Sequence, residues 1–582
     1  MKNIILIGFL GLLIFSSCEN QFLEKPQGSD LNVDTVFVSQ QNSLSAISQA
    51  YAMSLTSGLT LLDYDPGREH GVFQGVIAHF SGELNAIKFN WEESWKISRV
   101  GFMADAGNGA PLSSDGFNFN YKSIRQSNLV IENIDKVVDM TDDEKEVVKA
   151  EMKTLIAYRY QEMFKRYGGV PLVKSSLSAN DDLKISRASL QETLDYIVQL
   201  CDEAAPVLPA SQERIYKGRV TKGVALAIKA EALLFAARPL FNSTTPYLDL
   251  GENNSLICFG NTDKQRWQDA INASKAVLDW AAASGCHIID TNSPLDDYGT
   301  AVSTPNNPEV ILAYKNQFPI PGPNGHYYSP HGPSGGANAM SFWMLKQYAK
   351  EDGSEQEWAH EEASYAEYAS KMNEMEPRYK ASAAAAGFDA WNNPNDEHWT
   401  STVLANSSTW SGRGGTEGCG RRVKFWYHAG TRDWFEFPLY RLAETYLGLA
   451  EAYNELGKAD LALPYLNVIR DRAGLPDITE TNQEQLRKII RREWAVEFYE
   501  ENHQLWDVKH WKHEDIANGI IGGIKKGFAF TYVNGSYGLV ADDYLTYVTE
   551  EKYTGFWNTN QYLEPIPAYE INKGYLIQNP GY

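Results

Sequence analysis

The sequence predicts a mostly α-helical protein, in which stacked helical hairpins form a superhelix and a loop-rich layer packs on it. Apolar residues recur at a spacing of three to four along much of the chain, as in amphipathic helices. Two late helices joined by a short glycine turn form a clear hairpin, and hairpins stacked side by side build a superhelix. Long segments rich in Gly, Asn, Pro and aromatic residues interrupt the helices.

The composition is that of a globular protein, with 43% hydrophobic and 22% charged residues among 582. The formal net charge of −22 argues against nucleic acid as a partner and against a broad electrostatic hold on anionic lipid, because both need a cationic surface. Aromatic residues include 15 Trp and 32 Tyr. Most are expected in the helical core, but those in loops can act as flat apolar platforms for ligands such as sugar rings.

The N-terminus predicts an exported lipoprotein. After a short basic start, Ile4–Phe15 is apolar or glycine, too short to span a bilayer but of the length of a signal-peptide core. Phe15-Ser16-Ser17-Cys18 resembles a bacterial lipobox, in which the cysteine is acylated and becomes the mature N-terminus. We therefore expect a signal peptide over 1–17, acyl chains such as palmitate on Cys18, and a polar tether over 18–33. An ordinary signal peptide with an incidental cysteine is the alternative.

Six helices are predicted before the middle of the chain. The third ends at Gly168-Gly169-Val170-Pro171, a clear C-terminal pattern. The six are Val36–Met53, Tyr121–Val138, Glu144–Tyr167, Leu190–Leu208, Thr221–Phe241 and Gln265–Ala283.

The late hairpin has the most regular periodicity. Leu442, Ala450 and Tyr453 fall on one helical face, and Gly457 ends that helix. A second helix follows and closes at Gly474, a left-handed cap. Its Pro464 fits if the helix begins near Leu463, so that the ring lies in the first turn. A pair of this kind, about 34 residues long, resembles a tetratricopeptide repeat.

Four long segments are predicted to be irregular. Loops of this length are functional or disordered, and the aromatic content argues against disorder. We expect them to form the layer that packs on the helices. The segments are Thr56–Asn120, Thr291–Ala339, Gly387–Phe437 and Ile520–Tyr562.

No metal site or cofactor is predicted. Four cysteines besides Cys18 show no CxxC spacing, which argues against zinc. Free, mostly buried thiols are favoured for these four, and a Cys258–Cys286 bridge is the alternative in an oxidising compartment. His510-x-x-His513 is interpreted as part of a solvated helix face rather than as a pair of metal ligands.

The order of these segments closely resembles the SusD/RagB family of nutrient-binding outer-membrane lipoproteins of Bacteroidetes. The resemblance covers essentially the whole chain, and its most specific part is the C-terminus. The late helix departs from the family pattern at Trp494, Gln504 and His510, where the family usually has Arg. The motifs that carry the resemblance are Phe22-Leu23-Glu24-Lys25-Pro26, Tyr167-Gly168-Gly169-Val170-Pro171-Leu172, Asp352-Gly353-Ser354, Pro377-Arg378-Tyr379, Arg441-Leu442-Ala443-Glu444, Arg472-Ala473-Gly474-Leu475-Pro476, Glu493, Glu497, Glu501, Trp506-Asp507, Trp511, Leu563-Glu564-Pro565-Ile566-Pro567 and Gln578-Asn579-Pro580-Gly581-Tyr582.

The resemblance implies a single unit over 34–582, with an N-terminal helical part over 34–285 that carries an inserted loop and a C-terminal part over 286–582. It implies non-catalytic binding of nutrient oligosaccharide at the cell surface and delivery to a TonB-dependent, SusC-like outer-membrane transporter. It also implies a lipid anchor in the outer membrane, facing outside. A peptide ligand and a surface glycoside hydrolase remain alternatives. The three departures are expected to alter local ion pairing and to leave the fold intact.

In the family the ligand surface is drawn from the early and middle long loops. A sugar site needs a flat aromatic face with polar groups at its edge, because apolar ring faces stack and hydroxyls take amide and guanidinium hydrogen bonds. Core packing of Trp91 and Trp95 is the competing interpretation. The candidates are Asn85, Asn90, Trp91, Trp95, Tyr327 and Tyr328, with Arg68 and Arg99 as polar partners.

No catalytic residue is predicted. Gly332-Pro333-Ser334-Gly335-Gly336 matches a nucleophile-elbow pattern, but the elbow needs a strand before it, and Tyr327–His331 is polar and broken by proline. Two carboxylates would make a glycosidase, yet no pair stands out among 74 acidic residues.

Overall fold

The computed structural model describes residues 33–55, 77–85, 93–105, 116–178, 180–212, 217–316, 339–358, 365–384, 419, 421–422, 424–426, 435–532 and 544–582. The predicted signal peptide, the lipidation site Cys18 and almost all of the tether lie outside these residues. So do much of the early and middle long loops and the Gly332–Gly336 segment.

Helices dominate the described residues, and eight strands of 2 to 12 residues accompany them there. In chain order the α-helices are α1 (Val33–Val36), α2 (Gln40–Ser54), α3 (Glu93–Val100), α4 (Phe117–Asn133), α5 (Asp142–Tyr167), α6 (Leu190–Ala204), α7 (Lys222–Ala237), α8 (Gln265–Ser284), α9 (Pro294–Ser303), α10 (Phe342–Leu345), α11 (Tyr365–Asn373), α12 (Pro377–Ser382), α13 (Leu442–Glu455), α14 (Ala459–Arg472), α15 (Gln483–Glu497), α16 (Gln504–His510) and α17 (Ala568–Ile571). The strands are β1 (Leu84–Asn85), β2 (Val310–Asn316), β3 (Ala339–Met340), β4 (Ala383–Ala384), β5 (Arg421–Arg422), β6 (Phe435–Arg441), β7 (Gly523–Tyr532) and β8 (Tyr544–Gly555).

The helices form a continuous packed row. Helix α2 packs on α4, and α4 packs on α5. Helix α5 then packs on α6, α6 on α7, and α7 on α8. The row continues from α8 directly to α13, which packs on α14 and α15, so that α9 to α12 and the first six strands lie outside it. This arrangement confirms the predicted superhelix of helical hairpins.

Local sequence explains where the central helices begin and end. Both α5 and α6 start with a capping box, Thr141 with Glu144 and Ser189 with Glu192, in which side chains satisfy the first backbone N–H groups. Helix α5 ends at Gly168, as predicted, with a φ of 80°. A β-carbon there would lie 2.4 Å from the carbonyl oxygen of Leu256, so only glycine allows this close approach.

Two helix predictions were wrong in detail. Helix α14 begins at Ala459, so Pro464 lies inside it rather than in its first turn. Ala462 before the proline and Leu466 after it are both buried in the helical core, so packing keeps the chain helical on both sides of Pro464. The late helix is divided into α15 and α16, because Glu500 and Asn502 between them adopt φ values of 60° and 68°.

Regular elements also occur inside segments that were predicted to be irregular. Helix α9 and strand β2 lie in Thr291–Ala339, and the hairpin of β7 and β8 lies in Ile520–Tyr562. Strand β2 pairs antiparallel with β6, and the short strands form a sheet in the order β1-β3-β5-β4. The partners of β2 and β1 are distant in the chain, so local periodicity did not reveal them.

The four cysteines that the structure describes are free thiols. Cys201, Cys258 and Cys419 are buried, and the Cys258 thiol donates a hydrogen bond to the Ser243 carbonyl oxygen at 3.0 Å. The alternative Cys258–Cys286 bridge is therefore not formed. Within the described residues, none of the helices combines the length and the apolarity that a membrane crossing requires.

Candidate functional site

Part of the predicted ligand surface is assembled on the β7–β8 hairpin. Helix α3 packs on β8 and on the 3-10 turn Ile77–His79, and β1 follows that turn. Strand β1 pairs antiparallel with β3, with Leu84 opposite Met340. We call residues 77–85 and 93–100, together with the strands β7 and β8, the ledge.

Two predicted site residues each contact the hairpin of the ledge. Asn85 is 1% exposed, and its amide Nδ2 donates to the carbonyl oxygen of Lys526 on β7 at 3.1 Å. The Arg99 guanidinium lies 4.1 Å from the centre of the Tyr553 ring on β8, a cation–π contact. Arg99 also donates to the Ser98 hydroxyl at 3.0 Å. Asn85 thus ties β1 to the hairpin, and Arg99 ties α3 to it.

The side chains of the other predicted site residues lie outside the described part of the structure. Trp95 lies in α3, but its side chain is outside the described part, and the remaining five residues are wholly outside it. The ligand role of the whole set stays a prediction. These five residues are Arg68, Asn90, Trp91, Tyr327 and Tyr328.

Sequence reasoning missed Tyr553 and Lys526, which the hairpin brings to the predicted residues. Both lie in Ile520–Tyr562, which we predicted to be irregular. Alternating aromatic residues in β7 and the Tyr, Val and Thr residues of β8 are typical of strands and were available to find the hairpin. Arginine and tyrosine side chains offer donors and flat faces, which suit binding to a polar ring.

A buried carboxyl group fastens the ledge to the helical row. The Glu83 carboxylate accepts the Glu500 backbone N–H at 2.5 Å and the Ser81 hydroxyl at 2.6 Å. Burial raises the pKa of Glu83 to about 7, although both hydrogen bonds act in the opposite direction. Since Glu500 lies between α15 and α16, this contact sets the position of β1 relative to the late helices.

A buried ion cluster extends from there into the scaffold. Its members come from residues 309–441, from α14 and α15, and from the turn after α15. Arg441 donates to Glu501 at 2.7 Å and to Glu309 at 2.6 Å. The described cations and carboxylates balance, as buried charges require. They are Lys424, Arg378, Arg441, Arg470 and Arg472 with Glu309, Glu376, Glu493, Glu497 and Glu501.

Glu497 is the shared acceptor of this cluster. Burial by itself raises the pKa of Glu497, but the charges of Arg472, Arg441 and Arg378 outweigh it and hold the pKa below its usual value. Its side chain is 0% exposed. Glu493, Glu497 and Glu501, which carried part of the sequence resemblance, are therefore scaffold residues.

The three departures from the family pattern are buried. His510 is 0% exposed, its Nε2 lies 2.9 Å from the Lys165 carbonyl oxygen, and its ring packs on Phe235 and Phe241. The predicted solvated face was therefore wrong at His510, because α16 turns this side toward α7 and the core. In the described part of the chain, no group of three or more His, Cys, Asp or Glu residues is arranged to hold a metal ion.

The scaffold and its motifs agree with one family. The family model described as the SusD family matches residues 312–582. A second model, described as "Starch-binding associating with outer membrane", matches residues 22–234. The two matches span most of the chain, and the chain belongs to the SusD family.

Solved structures share the fold across nearly the full length. A SusD-like protein from Bacteroides fragilis is 23% identical, with a TM-score of 0.71 over 94% of this chain and 98% of that one. A SusD-like carbohydrate binding protein from the same species is 19% identical, with a TM-score of 0.66 over 93% and 99%. A SusD superfamily protein from Parabacteroides distasonis is 17% identical, with a TM-score of 0.59 over 93% and 99%. The comparison with curated proteins gave no match.

Proposed function

We propose that this protein binds a nutrient oligosaccharide at the cell surface without reacting with it and delivers it to a TonB-dependent, SusC-like transporter. Acyl chains on Cys18 anchor it in the outer membrane, facing outside. The observation that carries the proposal is the family match on both parts of the chain, over 22–234 and 312–582. A solved SusD-like relative described as carbohydrate binding shares the fold and supports the same ligand class.

The ligand surface includes the ledge and the loops that flank it. Arg99 and Tyr553 hold α3 against β8, and Trp95 belongs to the same helix. Trp91, Asn90 and the middle-loop tyrosines complete the surface in this proposal. A sugar ring stacks its apolar face on an indole while its hydroxyls bond to amide and guanidinium groups.

A glycan array followed by calorimetry on the soluble form lacking residues 1–18 tests the ligand class. The double substitution Trp91→Ala and Trp95→Ala is expected to abolish glycan binding and to leave the melting temperature nearly unchanged. Trp557→Ala is the matched control, since this half-buried indole packs on Tyr562 instead. A large fall in melting temperature would assign Trp91 and Trp95 to the core, and binding of peptides alone would exclude a glycan ligand.

Delivery and anchoring are tested on the full chain. We expect a tagged full chain to co-purify with a TonB-dependent barrel from outer membranes, and Cys18→Ala to lose acylation and membrane retention. A product assay on mixed polysaccharides separates binding from hydrolysis. Release of shorter sugars by the purified protein would contradict the proposal, and so would a Cys18→Ala variant that stays anchored.

A further inference from the structure

A buried lysine lies at the base of the β7–β8 hairpin. Lys525 of β7 is 5% exposed, and its Nζ donates to the carbonyl oxygen of Ile520 and, at 3.1 Å, to that of Gly519. Both acceptors belong to the turn Ile516–Ile520, which precedes the hairpin. A buried amine is costly unless its N–H groups are hydrogen-bonded, so these two bonds fasten the hairpin to the turn.

Burial leaves this lysine without a counter-charge. Among the described residues no carboxylate forms an ion pair with Lys525, and burial lowers its pKa to about 7. The backbone carbonyl groups of the turn are the acceptors of its Nζ, and the charged or titratable groups of the neighbouring elements are not. The described groups of this kind are Lys96 and Arg99 of α3, Tyr553 of β8, Lys526 of β7, Lys346 after α10, Glu83 of residues 77–85 and Asp515 before the turn.

The same turn contacts the segment that carries Asn85. A β-carbon on Gly82 would lie 2.5 Å from the carbonyl oxygen of Ile520, so the backbone of residues 77–85 lies directly against that oxygen. Three positions further on, Asn85 donates to the carbonyl oxygen of Lys526. The Ile520 carbonyl group is therefore contacted by Lys525 from the hairpin and by Gly82 from the other part of the ledge.

The lysine is also next to the contact between α3 and the hairpin. Lys525 lies directly opposite Tyr553 in the antiparallel pair, and side chains of opposite residues share one face of such a pair. The Arg99 guanidinium lies 4.1 Å from the centre of the Tyr553 ring. A shift of Lys525 therefore displaces Tyr553, and with it the partner of Arg99.

We propose that Lys525 is a positioning residue of the ligand surface, whose Nζ fixes the hairpin on the turn Ile516–Ile520 and thereby sets the places of Asn85, Arg99 and Tyr553. This inference rests on the proposed function, since it assigns the ledge to the glycan surface. Lys525 is buried and does not contact the ligand. Its loss leaves every contacting group in the chain but releases the hairpin, and a surface that is no longer preorganised binds more weakly.

Lys525→Met keeps the apolar stem and removes the amine. For a glycan selected on the array, we expect calorimetry on the form lacking residues 1–18 to show at least a tenfold loss of affinity. Lys526→Met is the matched control, because this side chain is exposed and its backbone carbonyl group still accepts the bond from Asn85. Unchanged affinity in Lys525→Met would overturn the proposal, and so would an equal loss in both variants.

Amide hydrogen exchange tests the positioning without a ligand. We expect residues 77–85 and β7 to exchange at least tenfold faster in Lys525→Met than in the unmodified protein, and Lys526→Met to exchange like the latter. Unchanged exchange in Lys525→Met would overturn the positioning role whether or not a glycan binds. If exchange changes as expected but the unmodified protein binds no glycan, the proposed function fails, and with it the part of the inference that concerns the ligand.

The pH dependence of this exchange separates a titrating amine from apolar packing. Opening of the ledge returns Lys525 to water and its pKa from about 7 to 10.5, so opening takes up a proton between these values. After correction for the intrinsic rate, opening should become rarer by about tenfold per pH unit from pH 7.5 to 9, and Lys525→Met should abolish this trend. Glu83, with pKa values of about 7 and 4.5, is ionised in both states over that range. Opening that does not depend on pH in the unmodified protein would overturn the role of the amine.

Discussion

Glu497 accepts hydrogen bonds from three arginines in the buried cluster, at 3.0 Å from Arg441 and 3.4 Å from Arg378, with Arg472 closest. Glu497→Gln keeps the shape and leaves these cations without their shared charge. Removing one partner from a buried ion pair costs about 3–5 kcal/mol, so we expect the free energy of unfolding to fall by that amount. Urea titration followed by circular dichroism measures it.

The control is a surface ion pair. Glu203→Gln removes the partner of Lys153, which lies 2.8 Å away while the Glu203 side chain is 41% exposed. Exposed pairs contribute about 0–1 kcal/mol, so this variant should unfold nearly as the unmodified protein does. Equal effects of the two substitutions would show that the buried cluster does not support the fold.

Glu83 predicts a pH dependence of stability. Burial raises its pKa from 4.5 to about 7, so the native protein keeps a proton that the unfolded chain releases as the pH rises. The stabilisation is complete below pH 4.5 and is lost as the pH rises through 7. The difference between the two pKa values of Glu83 corresponds to about 3 kcal/mol of unfolding free energy.

Comparison with Glu83→Gln isolates this residue. The unfolding free energy of the unmodified protein minus that of the variant should decrease by about 3 kcal/mol between pH 4.5 and 7 and be flat at higher pH. Glu151 and Asp507, whose pKa values burial also raises, are present in both proteins and cancel in the difference. A constant difference across this range would mean that Glu83 is not buried.

At the scale of elements, the end of α5 depends on a close backbone approach. A β-carbon on Gly169 would lie 2.1 Å from the Ala188 carbonyl oxygen, so Gly169→Ala forces the backbone apart. We expect a loss of about 1–3 kcal/mol in unfolding free energy. Gly448→Ala is the control, since its β-carbon would meet only a Leu234 side chain at 3.3 Å within a helix that favours alanine. A Gly169→Ala variant as stable as that control would contradict the packing.

Local sequence predicted some helices well and missed other features of the secondary structure. Helices α5 to α8 begin and end within a few residues of their predicted bounds, because caps and apolar periodicity are local. Sequence reasoning missed the division between α15 and α16, since the Glu500 N–H donates to Glu83, 417 positions away in the chain. The pairing of β2 with β6 was also missed, because the local sequence of each strand does not indicate which distant segment it pairs with.

At the scale of the whole molecule, the structure predicts the state of the thiols. In the form lacking residues 1–18, all four cysteines should react with a thiol reagent after denaturation without reductant. In the native protein the reaction should be slow, because Cys201, Cys258 and Cys419 are buried and burial raises the pKa of Cys286 to about 12. Two reactive thiols instead of four would indicate the Cys258–Cys286 bridge.

The candidate site was predicted only in part. Asn85 and Arg99 were predicted from the resemblance, and the structure places both against the hairpin, while their ligand role stays a prediction. Tyr553 was not found, because its relation to Arg99 depends on how β8 packs on α3.

The amino-acid sequence by itself determined the helical class, the hairpin near Gly457 and Gly474, the capped starts of α5 and α6, and the order of motifs that marks the family. These properties follow from periodicity, capping and glycine geometry over a few residues. Tertiary structure alone decided which charges meet in the buried cluster and how the hairpin supports the ledge. Both depend on residues that are far apart in the chain, up to 163 positions in the buried cluster and 441 between Asn85 and Lys526, and that meet only when the chain is packed.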